Sequence, residues 1–180
     1  MRALTIHQPY ASAIAYGPKR VENRGWGNEG MAGMTIAIHS AARKWQPTPG
    51  ELIRFRQLWP QCPKGSRMLY GYILATAKIN RISTPKDPLL YGDRWVTGPK
   101  CWVLHHIKIL QHPIQCRGNQ GLWKVPDPIA EQIHGGGKAN WKFKCECGSG
   151  LVRDVLILTL GSPGARVGCV ECAGLVKTKR

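Results

Sequence analysis

Lys19, Glu22 and Arg24 stand within six residues of one another, directly after the pair Gly17-Pro18. Side chains alternate along an extended segment, so Glu22 and Arg24 share one face and Asn23 takes the other. Two cations and a carboxylate beside one short turn can hold that turn as a salt-bridge set, bind the polar edge of a base, or perform acid–base work. A carboxylate stabilised between two cations is better suited to hydrogen bonding with a base than to removing a proton. If the site is an active one, Lys19 and Glu22 are its candidate catalytic residues.

Four cysteines carry the second pattern. Cys145 and Cys147 form one close pair, Cys169 and Cys172 another, with an apolar strand-like run at 155–160 and a turn at 161–164 between them. This is the layout of a zinc ribbon, in which two knuckles supply four thiolates to a tetrahedral structural ion. The first pair is Cys-x-Cys, one residue shorter than the usual knuckle. Either the tighter loop chelates through both thiols or His134 replaces one of them; a redox pair and plain buried thiols are the other readings. About 40 residues bury too little surface to fold without such a staple or a neighbouring domain. Cys62, Cys101 and Cys116 have no partner at ligand spacing.

The elements that would position these groups are legible as strands and short helices. Residues 3–6 read as an apolar strand, and Pro9 suits the first turn of a helix of small residues that Gly17-Pro18 ends. Strand composition recurs at 35–39, 70–79 and 101–114. Within the last of these, alternation sets His105 and His106 on opposite faces. A short helix is predicted at 129–134 after Pro128, then a Gly-rich linker at 134–139.

The run from Leu4 to Trp26, with Gly17-x-Lys19-x-x-Glu22-x-Arg24 after Gln8-Pro9-Tyr10, resembles the opening of an ASCH domain, a member of the PUA-like superfamily. The later strands, and the glycine-rich loop from Arg117 to Trp123, extend the resemblance over about residues 1–133. It implies an α+β fold: a PUA-like small β-barrel flanked by short helices, to which residues 140–180 add the zinc ribbon. It also implies that Gly17, Lys19, Glu22 and Arg24 line a cleft between helix and barrel. Some ASCH relatives are amidohydrolases acting on acetylated cytidine through a Lys, a Thr and a distant Glu, and others have been described as ribonucleases. Lys19 matches that lysine, Glu22 stands where the threonine would be, and no residue here matches the distant glutamate.

Charge narrows the partners. With 26 Lys and Arg against 10 Asp and Glu, the formal net charge is +16, shared as +11 before Lys138 and +5 from it onward. Such a balance favours polyanions. Seven Trp and five Tyr lie among the cations, and aromatic faces with Lys and Arg are what unpaired bases and phosphates require. The expected partner is therefore RNA or single-stranded nucleic acid, with a small nucleoside as a further ligand. Candidate binding residues are His7, Gln8, Lys19, Glu22, Arg24, Trp26, His39, Arg43, Lys44 and Trp123. A hydrolase on a modified nucleoside or RNA is the alternative, and a protein-interaction module docking through the zinc ribbon a third. The chain has no apolar run near the roughly 20 residues of a membrane span and no signal-peptide core, and reads as cytoplasmic. Walker A, dinucleotide, Gly-x-Ser-x-Gly and His-Glu-x-x-His signatures are absent.

Overall fold

A computed structural model describes residues 1–135. The linker beyond Gly135 and the zinc-ribbon-like segment 140–180, with Cys145, Cys147, Cys169 and Cys172, lie outside the described residues.

The elements follow in the order β1 (Arg2–Ile6), α1 (Tyr10–Ala15), β2 (Val21–Arg24), β3 (Thr35–Ser40), α2 (Pro49–Leu58), β4 (Tyr72–Ser83), β5 (Lys100–Gln115), β6 (Leu122–Lys124) and α3 (Asp127–His134). The six strands make one mixed sheet, ordered β2-β5-β4-β3-β1-β6 and curled into a half-barrel. Only β1 and β3 pair in parallel; the other pairs are antiparallel. A parallel pair needs a crossover, and α1 with β2 supplies it. The coarse expectation of an α+β fold with a barrel-like sheet is therefore met.

α1 consists of small residues because it lies flat on the sheet: Ala11 to Ala15 are all buried. Its own Ile14 and the apolar residues Leu4, Ile36, Ile38, Leu74, Ile79 and Trp102 fill the inside of the curl, each fully buried aliphatic contributing about 1.5–3 kcal/mol. α3 covers the other side, placing Ala130 against Ala3, Ala37, Ile73, Trp123 and Val125. Gly17 ends α1 with no side chain for a packing reason: a Cβ there would meet the Trp59 ring at 2.8 Å.

Two features depart from the sequence reading. α2 was not anticipated, although Thr48 and Glu51 form a reciprocal capping box with Pro49 in the first turn, a recognisable start signal. Its Phe55, and Trp59 just after its last turn, pack with Ala13 and Trp95, leaving Arg54 and Arg56 outside. The expected alternation at His105 and His106 fails. The β4–β5 register shifts between Thr76 and Lys78, and His106 adopts φ 46°, the bulge geometry that adds one residue to a strand. The two imidazoles consequently lie side by side, with centroids 4.3 Å apart.

Candidate functional site

The three clustered charges meet as the spacing predicted. Lys19 Nζ lies 2.9 Å from Glu22 Oε2, and Arg24 Nε 3.1 Å from Glu22 Oε1. The second contact is an ion pair without an aligned hydrogen bond. Arg24 Nη2 donates to the Thr5 carbonyl at 2.8 Å. β2 and β1 are separated by three strands in the sheet order, so this guanidinium spans the gap that the curl leaves between them.

Exposure divides the set. Lys19 is 1% exposed and Glu22 6%, whereas the Arg24 side chain is 24% exposed. The Lys19 ammonium also donates to the Val21 carbonyl, and the rings of Tyr10 and Trp95 each have their centroid 5.9 Å from it. Burying an ammonium is costly unless acceptors and π-faces surround it, and these groups supply that ring. Lys19 and Glu22 therefore position Arg24, and Arg24 is the member of the set that solvent reaches. Its Nη1 has no partner among the described residues.

The other expected site residues separate into two groups. His7, Arg43 and Lys44 are exposed, and Trp26, 37% exposed, stands edge-on to Trp102 at 4.8 Å. Gly27, at φ 123°, lets Trp26 take that place, since a Cβ there would meet Trp102 Nε1 at 2.6 Å. Gln8, His39 and Trp123 are buried. Gln8 accepts from Ser12 N at 3.0 Å and donates to the Leu69 carbonyl at 2.7 Å, tying the start of α1 to the β3–β4 connection. Tyr10, 44% exposed beside Lys19, also belongs to this neighbourhood, and nothing in its local sequence apart from the Gln8-Pro9-Tyr10 motif signals it. Asn23, on the opposite face of β2, donates to the Trp95 carbonyl and accepts from the backbone of Thr97 and Gly98. That clamps the β4–β5 connection against the site.

His39 belongs to a relay under the same end of β1. Trp123 Nε1 donates to Thr5 Oγ1 at 3.0 Å. His39 Nε2 lies 2.9 Å from the Cys116 carbonyl and must donate, which leaves Nδ1 to accept from Thr5 Oγ1 at 3.2 Å. Gly118 closes over the group, because a Cβ there would meet His39 Cε1 at 2.4 Å. Burial lowers the His39 pKa from its ordinary 6.5, partly opposed by the Cys116 hydrogen bond. The unfolded chain thus binds this proton more readily. Stability should be full above about pH 6.5 and decline as pH falls through the folded value. His105, lowered first by desolvation and then by His106 and Lys78, acts in the same direction. Urea midpoints at pH 7.5 and 5.5 test this: His39→Gln should flatten the slope, and an unchanged slope would refute the assignment.

The three described cysteines all have raised thiol pKa values, the opposite of an activated thiol. Burial pushes the Cys62 thiol up to about 11 against the opposing charge of Arg56, and Cys101 and Cys116 are raised chiefly by the same cause. Among the described residues no group of three or more His, Cys, Asp or Glu could hold a metal ion. No described helix is long and apolar enough to cross a membrane. No family model matches the chain, and no curated protein matches it.

Proposed function

We propose that this chain binds RNA, or single-stranded nucleic acid more generally, with one base or nucleotide read at Arg24. The sheet with Gly17, Lys19, Glu22 and Arg24 is on this reading an ASCH-like, PUA-like barrel, and Cys145, Cys147, Cys169 and Cys172 hold a structural zinc in the segment that follows. The supporting observation is the Arg24 guanidinium: one edge is fixed by Glu22 and the Thr5 carbonyl, and the other is unoccupied and partly open. A guanidinium held this way is a preorganised fork for the acceptors of a base edge or a phosphate. Exposed Trp26 and Tyr10 offer faces for stacking, and the net charge of +16 supplies long-range attraction.

Arg24→Lys keeps the charge and removes the fork. It should reduce discrimination between bases by about 1–3 kcal/mol, while leaving the salt dependence of binding nearly unchanged because the phosphate contacts remain. Fluorescence titrations with homopolymeric single-stranded RNAs, on a variant whose thermal unfolding is checked first, measure both quantities. Full base preference in Arg24→Lys would sink the reading. The wild-type chain should also be incubated with acetylated cytidine and with an RNA strand. Turnover of either would replace binding with hydrolysis as the function, although Lys19 already spends its ammonium on Val21 and Glu22.

A further inference from the structure

Arg24 and Lys100 are registered opposite one another on β2 and β5. Directly opposed residues of an antiparallel pair share a face with Cβ atoms about 5 Å apart, and like charges there are destabilising. Arg24 shares the Glu22 carboxylate with Lys19, and no carboxylate among the described residues pairs with Lys100. The protein places two cations side by side with only a shared carboxylate beside them.

Lys100 also lines a cavity of about 400 Å³ with Asn28, Glu29, Ile82, Ser83, Lys86 and Asp87. Asp87 is committed within the fold. Its Oδ2 accepts from Arg81 Nη2 at 3.0 Å and Ser83 Oγ at 2.7 Å, and its Oδ1 from Leu89 N at 2.9 Å. Arg81 cancels its charge. Lys86 and Lys100 then face Glu29 alone, and neither lysine has an ion-pair partner among the described residues. The Asn28 amide adds an uncommitted polar group at the wall. The balance is positive, and Lys100 carries it to the face of the sheet that it shares with Arg24.

Resting on the nucleic-acid reading above, we propose that this cavity is a phosphate subsite in which Lys100 and Lys86 contact a phosphate of the strand whose base lies at Arg24. The ligand class is then a nucleotide or RNA and not a free nucleoside. An anion here also relieves the Arg24–Lys100 repulsion, which gives the bound state an advantage that an uncharged ligand cannot supply.

The test uses the full chain, a single-stranded RNA oligonucleotide and inorganic pyrophosphate. The double variant Lys86→Gln, Lys100→Gln should flatten the slope of log affinity against log salt by about 1.4, or 0.7 for each lost contact, and weaken all sequences alike. Lys108→Gln, in the far half of β5, should leave the slope unchanged. Pyrophosphate should shift the backbone amide resonances of Asn28, Lys86 and Lys100 in the wild type. RNA binding with an unaltered slope in the double variant, or an equal loss in Lys108→Gln, overturns the subsite and spares the RNA reading. Pyrophosphate shifts at these amides without any RNA binding keep the subsite and overturn the RNA reading. No shifts and no slope change defeat the proposal outright.

Discussion

Glu22→Ala should destabilise the fold by about 3–5 kcal/mol, the usual cost of leaving one member of a buried ion pair alone. The Lys19 ammonium is almost wholly removed from water, and Glu22 is its only carboxylate partner among the described residues. Without that carboxylate, Lys19 retains the Val21 carbonyl and two distant rings, too little to offset desolvation of a full charge. Arg24 loses its ion pair at the same time. The double variant Lys19→Met, Glu22→Gln removes both buried charges and should recover most of the loss, since replacing a buried pair is often nearly neutral. Urea unfolding of Lys19→Met, Glu22→Gln and the double variant, beside the unsubstituted chain, closes a thermodynamic cycle. A coupling energy near zero would show that the contact contributes nothing. The same cycle protects the binding experiments: a base preference altered by Glu22→Gln counts as recognition only when the variant is folded.

The purified 180-residue chain is expected to carry about one zinc ion. Cys145, Cys147, Cys169 and Cys172 supply four thiolates within 28 residues, and structural zinc of this kind contributes about 10–16 kcal/mol near neutral pH in small peptides. Metal analysis with thiol titration measures the stoichiometry. Cys147→Ser should lose zinc and leave the thermal unfolding of the sheet unaltered. His134→Ala distinguishes a ribbon of four thiolates from one completed by imidazole, because only the second loses the ion. Metal-free protein in which residues 138–180 are fully folded would sink the zinc-ribbon reading.

The strands were legible where composition and periodicity coincide. The predicted stretches at 3–6, 35–39 and 101–114 fall inside β1, β3 and β5, while β4 runs on to Ser83. The meeting of Lys19, Glu22 and Arg24 was legible too, because it depends on spacing within one short segment. Exposure was not. Whether a charge at the end of a turn faces water depends on Trp95 and Tyr10, and Trp95 comes from a connection more than 70 residues later in the chain. The His105–His106 stack was hidden for a different reason: a bulge is settled by how two strands align, and neither strand alone reports it. Lys100 gave no local signal, since its meaning comes from lying opposite Arg24.

β2 has only four residues and ends the sheet, a situation in which a strand can slide along its neighbour. A slip by one residue would turn Asn23 inward and drive Glu22 and Arg24 into the backbone of the β4–β5 connection. Asn23 would lose three hydrogen bonds to Trp95, Thr97 and Gly98, and the Lys19 ammonium its carboxylate. Gly98 reinforces the lock from the other side, as a Cβ there would meet Asn23 Cβ at 2.7 Å. The strand is therefore indexed by its side chains on both faces. A ladder of backbone hydrogen bonds tolerates a one-residue offset, whereas this arrangement admits a single setting, and so the angle at which Arg24 is presented is fixed before any ligand arrives.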